Sequence, residues 1–260
     1  VSDGTETGTR VIFTSTANDS NFVARVGTIY SANGLIFFSA TNSDGKEVLW
    51  ESDGTTAGTR EIQPGTSITA PLWMTNFRDQ ACFINYTAPG YQPGMLKLYC
   101  TKGSAYGGII EKATVRSDFG GGQYSPLIVA GGKIYFSSRT NIYSSGELWV
   151  SDGTSAGTHP VGVNNGSYKN LQDLSSIGPR IFFTAEDDEH GRELWTSNGT
   201  ADGTYGMDIN PGVGSSNPKF ITWANEKVLF FFFFLTDGPE LWGIDFDYLQ
   251  YDLFLPVIQR

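Results

Sequence analysis

Charge is scarce in this sequence. Asp, Glu, Lys and Arg make up 17% of 260 residues, where roughly 25% is usual. Acidic residues outnumber basic ones, 27 to 17, for a formal net charge of −10. No basic patch is visible, which argues against binding a nucleic-acid backbone. Histidine occurs twice, at the distant His159 and His190, too sparsely for a zinc site. The longest apolar run, Val228–Leu235, is eight residues, against about 20 for a membrane-spanning helix. There is no Gly-x-Ser-x-Gly elbow. Gly120-Gly121-Gly122 lacks the Lys-Ser/Thr of a phosphate loop and reads as a flexible connection. No stretch holds a helical period. The sequence implies no cofactor and no metal.

Glycine and aromatic residues are plentiful instead, with 32 glycines and 14% aromatics, a composition suited to a sheet protein with many tight turns. Glu-Leu-Trp followed by Ser-Asp-Gly-Thr recurs. Glu147–Thr158 is the cleanest copy, with others at Leu49–Thr59 and Glu193–Thr204. A degenerate copy spans Lys97–Gly103; partial copies lie at Val1–Thr9 and Glu240–Trp242. The turn positions Asp3, Asp53, Lys102, Asp152, Asn198 and Asp245 are spaced by 50, 49, 50, 46 and 47 residues. A second motif runs in phase, a short apolar stretch about a dozen residues before each Leu-Trp: Ile36-Phe37-Phe38, Ala81-Cys82-Phe83, Ile134-Tyr135-Phe136, Ile181-Phe182-Phe183 and Val228-Leu229-Phe230. With one strand upstream and one after each turn, every repeat reads as four short strands.

Five units of this kind predict an all-β, five-bladed β-propeller over residues 1–260, with an apolar tail at 243–260. Blades that are apolar on both faces must stack to bury them. The end pieces together make one further copy, which predicts a ring whose N- and C-terminal segments share a blade; the alternative is a piece of a longer array. The repeats resemble the Glu-Leu-Trp-x-x-Asp-Gly-Thr family of surface proteins over nearly the whole chain, most specifically at Trp50, Trp149 and Trp195 with their turns. The resemblance implies a secreted or surface-attached propeller and brings no catalytic residues.

The repeated residues read as scaffold. Asp in Asp-Gly-Thr can accept backbone amides two residues on, and Gly accepts positive φ. One carboxylate per loop is poor for calcium. Each Trp is expected to wedge between blades, and the Glu before it to lie at a strand edge or bind the adjacent loop. Cys82 and Cys100 fall on neighbouring strands of one hairpin, nearly opposite each other. A cross-strand disulfide is geometrically accessible there and would place the chain in an oxidising compartment; the alternative is two buried thiols. Asn18, Asn85, Asn165 and Asn198 are candidate glycan acceptors, although Asn198 also replaces the turn Asp.

Function is sought where the pattern breaks. Trp73, Trp223 and Tyr30 lie outside the Glu-Leu-Trp motif and can stack on sugar rings, with Asn76 and Asn225 supplying hydrogen bonds; ordinary packing is the rival reading. Asp187-Asp188-Glu189-His190 reads as a solvated hairpin tip. Five consecutive Phe, 230–234, make both faces of one strand apolar. Either the tail covers this strand, or Phe231, Phe232, Phe246, Tyr248, Leu253 and Phe254 form a docking surface for another subunit. The leading functional reading is a non-enzymatic extracellular or cell-surface module for binding or assembly, recognising glycans or other protein subunits and open to homo-oligomerisation. The alternative is a glycoside hydrolase of the five-bladed kind, with two carboxylates about 5–10 Å apart. Deleting residues 246–260 is expected to cause dissociation or aggregation, read by size-exclusion chromatography; a monodisperse, equally stable product would contradict both readings of the tail.

Overall fold

The computed structural model describes residues 4–14, 29–62, 68, 71–87, 95–116, 126–138, 146–163, 167–234 and 238–245. The described strands form five antiparallel sheets in sequence order, four with four strands and the fifth with three. Each sheet is a meander whose strands pair in chain order. The chain divides into two compact units, Val1–Arg116 with the first two sheets and Ser117–Arg260 with the other three. The only helical turn described is Ser104–Tyr106.

The apolar runs become the second strands, Leu35–Thr41, Gln80–Thr87, Lys133–Ser138, Arg180–Asp187 and Lys227–Phe234. The Glu-Leu-Trp segments become the third strands. Their register is constant: Phe38 faces Trp50, Phe83 faces Tyr99, Phe136 faces Trp149, Phe183 faces Trp195 and Phe230 faces Trp242. The first four of these pairs stack at 5.6–6.5 Å between ring centroids. Cross-strand aromatic pairs of this kind stabilise a sheet beyond the area they bury.

Both faces of each sheet are apolar, and neighbouring sheets share cores. In the first unit, Phe37, Leu49 and Ile62 of the first sheet meet Ala81, Phe83 and Tyr99 of the second. In the other unit, Tyr135, Leu148 and Val161 of the third sheet meet Ile181, Phe183 and Trp195 of the fourth. Phe182, Leu194 and Met207 of the fourth then meet Val228, Phe230 and Trp242 of the fifth. The rule is the same each time. The Phe37-type face of one sheet packs on the Trp-bearing face of the next, so Tyr99, Trp195 and Trp242 wedge between sheets.

The Asp-Gly-Thr turn is a closed hydrogen-bond net, and it explains its own consensus. Asp152 Oδ1 accepts from Thr154 N at 2.8 Å and Thr154 Oγ1 at 2.7 Å. Thr154 Oγ1 accepts from Gly157 N, and Thr158 Oγ1 donates to the Thr154 carbonyl. Ser151 Oγ accepts from Gly153 N and lies 2.7 Å from Thr158 Oγ1. The same bonds recur at Ser52–Thr59 and Ser197–Thr204. Thr5, Gly8 and Thr9 repeat part of them near the N-terminus. The second glycine must lack a side chain, because a Cβ on Gly157 would collide with the Asp152 carboxylate.

Cys82 and Cys100 are directly opposed and joined by a disulfide with Cα atoms 4.1 Å apart. Asn85 is buried in the same strand, which corrects its reading as a glycan acceptor: a buried amide has no room for a sugar. Asn18 and Asn165 lie outside the described residues. Gly157→Ala is expected to lower stability by about 1–3 kcal/mol through overpacking. Gly162→Ala, where a Cβ meets nothing within 4 Å, should stay within about 0.5 kcal/mol. Urea unfolding of the two variants checks this; equal effects would contradict the turn account.

Candidate functional site

The candidate ligand residues outside the repeated motif lie on the first strands of the first, second and fifth sheets (Tyr30, Trp73, Asn76 and Trp223) or in the turn that follows (Asn225). Within each unit, neighbouring sheets bring these first strands side by side. In the first unit, Tyr30 packs against the shared core, and Asn76 Nδ2 donates to the Ser31 carbonyl at 2.6 Å. Asn76 thereby ties two sheets together. Trp73 is half-buried. In the second unit, Trp223 is 44% exposed on the first strand of the fifth sheet, and Asn225 sits in the turn that follows, at φ 48°.

Register shows that Trp73, Trp223 and Tyr30 do not occupy one repeat position. Trp223 pairs with Val228, as Asn76 pairs with Ala81, Ser176 with Ile181 and Ser31 with Ile36. Trp73 instead aligns with Asp173 and Phe220. These three share a local geometry. Each lies within a register shift of its first strand, Leu72/Thr75, Gln172/Ser175 or Lys219/Thr222. Each has positive φ, 47°, 53° and 58°. A bulge re-aims the side chain it carries, and left-handed backbone at a bulky residue costs on the order of 1 kcal/mol or more. Sequence reading missed Phe220. It is 73% exposed and meets Phe231 edge-on at 6.2 Å. Aligning it with Trp73 would have found it, since Trp73 stands eight residues before Ala81 and Phe220 eight before Val228.

The five-phenylalanine strand resolves into two faces. Phe230 and Phe232 are buried against the fourth sheet, whereas Phe231 is 36% exposed. Phe232 is therefore core and not docking surface, because its pairing with Glu240 fixes it on the Trp242-bearing face. Phe246, Tyr248, Leu253 and Phe254 lie outside the described residues.

Glu193, the Glu of the third repeat copy, is buried. Its carboxylate accepts from Ser216 N at 2.9 Å, Ile209 N at 3.1 Å and the Ser216 hydroxyl. It therefore fixes the loop that enters the fifth sheet. Burial pushes the Glu193 carboxyl up to about 7. In the hairpin tip, Asp187 Oδ1 accepts from His190 N at 2.6 Å, and Asp187 Oδ2 lies 3.0 Å from His190 Nδ1. The hydrogen bond to Asp187 raises the His190 pKa. Hydrogen bonds from Thr55, side chain first and then amide, hold Asp53 below the usual carboxylate range. Among the described residues no cluster of three His, Cys, Asp or Glu side chains is arranged for a metal ion. What the first strand of the fifth sheet does present is exposed aromatic surface, Phe220 at the bulge and Trp223 three residues on.

No protein-family model and no curated protein matches the chain. Solved structures do match. A puromycin hydrolase aligns with TM-score 0.53 and 10% identity over 86% of this chain and 36% of its own. Its S511A mutant complexed with PGG gives 0.51 at the same identity and coverage. The β-propeller domain of the Trilobed protease from Pyrococcus furiosus, described as having an open velcro topology, gives 0.48 at 13% identity over 84% of this chain and 66% of its own. The chain thus spans about a third of the length of the puromycin hydrolases. At these identities the likeness concerns fold alone.

The raised Glu193 pKa has a consequence for stability. Unfolded, this carboxyl titrates near 4.5, so between about 4.5 and 7 the folded state holds the extra proton. Stability is then expected to fall as pH rises through that window, by on the order of 3 kcal/mol. Thermal melts of Glu193→Gln should lack this part of the slope; an unchanged pH profile in the variant would contradict the assignment.

Proposed function

We propose that the chain is a non-enzymatic extracellular module for binding or assembly, a five-bladed β-propeller of the Glu-Leu-Trp-x-x-Asp-Gly-Thr kind whose terminal segments share one blade. Its ligands on this reading are glycans, gripped by aromatic side chains on the inner strands. The observation that carries the reading is the pair Phe220 and Trp223, both exposed on one strand, with Phe220 turned outward at a bulge. Aromatic faces stack on the apolar face of a sugar ring and bury large area with little side-chain entropy loss. The disulfide supports an oxidising compartment. Among the described residues no helix is long and apolar enough to cross a membrane.

The repeated residues support the same reading by being otherwise engaged. The turn Asp and Thr side chains hold their own loops, and Glu193 holds the approach to the fifth sheet. Binding on a glycan array is expected for the wild-type chain. Phe220→Ala and Trp223→Ala should each weaken it roughly tenfold, the equivalent of about 1.4 kcal/mol, with little change in melting temperature. Release of free sugar in the same assay, or binding indifferent to both substitutions, would contradict the proposal.

A further inference from the structure

The repeat position that carries Phe220 in the fifth sheet carries Asp173 in the fourth. Asp173 stands eight residues before Ile181, as Phe220 stands eight before Val228. Their strands, Lys169–Ile177 and Lys219–Ala224, adjoin within the second unit. Ser175 Oγ donates to the Ile221 carbonyl at 3.4 Å. Ser175 is two residues after Asp173, and Ile221 one after Phe220, so this bond brings the two bulges close together on adjoining strands. Both residues are exposed.

The surroundings of Asp173 turn its carboxylate towards the fifth sheet. Thr184 Oγ1 donates to Asp173 Oδ2 at 3.5 Å. Thr184 is buried and pairs with Leu194, a residue of the core shared by the fourth and fifth sheets. One oxygen of Asp173 therefore lies at the edge of that core, on the side of the Phe220 strand. Thr184 is itself held, because Arg192 Nη1 donates to its Oγ1 at 3.2 Å and to the Asn170 carbonyl at 3.0 Å.

The charges around this network are matched, and Asp173 is the exception. Arg192 Nη2 donates to Glu186 Oε1, and Asn170 Nδ2 to Glu186 Oε2. Glu186, Asp187 and Asp188 each pair with a basic side chain of their own sheet. Asp173 makes no ion pair with any described residue, and its Oδ1 accepts no hydrogen bond from one. An ionised carboxylate offers about four lone-pair sites and no donor. Hydrogen bonds to it are roughly twice as strong as those between neutral groups.

Phe220 has the complementary character. Phe231 supports its ring edge-on, while Phe220 remains 73% exposed. A sugar ring stacked on an aromatic side chain turns its C–H face to the ring and its hydroxyls to the rim. We infer that Asp173 is the hydrogen-bonding residue of the glycan site, accepting from two adjacent hydroxyls of the sugar that stacks on Phe220. This rests on the glycan reading above and narrows its ligand class to sugars with a free vicinal diol beside the stacked face.

The test compares the wild-type chain with Asp173→Ala, Asp173→Asn, Phe220→Ala and Glu189→Gln. Glu189 is an exposed carboxylate of the fourth sheet's hairpin tip and controls for charge alone. The probes are arrayed cello-, xylo-, manno- and galacto-oligosaccharides, each also in O-methylated form. Asp173→Ala is expected to weaken binding roughly tenfold or more, the size of a hydrogen bond to a charged acceptor. Asp173→Asn should weaken it less, Glu189→Gln should leave it unchanged, and O-methylated sugars should not bind. Melting temperatures should match the wild type. Binding that needs Phe220 but is indifferent to Asp173→Ala or to O-methylation would overturn this inference and leave the glycan reading standing. Weaker binding with lowered melting temperatures in both Asp173 variants would show a structural role and overturn it as well. Absence of wild-type binding to every sugar would overturn both.

Discussion

A sheet that is apolar on both faces cannot stand without neighbours on both sides, and that constraint organises this molecule. Each shared core takes the Phe37-type face of one sheet and the Trp-type face of the next. Each large side chain in such a core contributes about 1.5–3 kcal/mol when fully buried. Where a partner face is not supplied, Leu241, Phe231 and Ile36 stand exposed at positions that are buried in every other sheet. In each of these shared cores the direction of packing is the same. Within each unit the first strands of neighbouring sheets come together as a consequence, and Trp73, Phe220 and Trp223 lie on such strands.

The consensus itself is spent on this scaffold. The Ser, Asp and both Thr side chains of Ser-Asp-Gly-Thr-x-x-Gly-Thr close a local net, and its second glycine leaves room for the Asp carboxylate. The degenerate turn at Lys102–Gly108 lacks the Asp, and it finds a carboxylate elsewhere. Ser104 N donates to Glu51 Oε2 at 2.7 Å from the neighbouring sheet. Glu51 is buried and also pairs with Arg60. The loss of a turn residue in one repeat is thus matched by a charged residue at an otherwise uncharged site in the repeat before it.

Much of this was legible in the sequence, for a physical reason. Strand order, turn phase and the opposition of Cys82 to Cys100 all follow from a fixed period and a two-residue side-chain alternation. The parts that were not legible lie where that alternation fails. Bulges at Trp73, Asp173 and Phe220 shift the parity of each first strand, so simple alternation does not report which side chain is re-aimed there. In the phenylalanine run both faces are apolar, and only pairing with the Trp242 strand separates Phe231 from Phe232. Burial of Glu193 depends on a loop arriving from 23 residues away at Ser216, which local pattern does not report.

That neighbouring sheets are held together by the apolar cores they share is the central claim, and urea unfolding of Phe183→Ala tests it most directly. Phe183 is fully buried in the core shared by the third and fourth sheets, so its truncation is expected to cost about 3–5 kcal/mol. A loss within about 0.5 kcal/mol, the size of an ordinary surface substitution, would contradict the account.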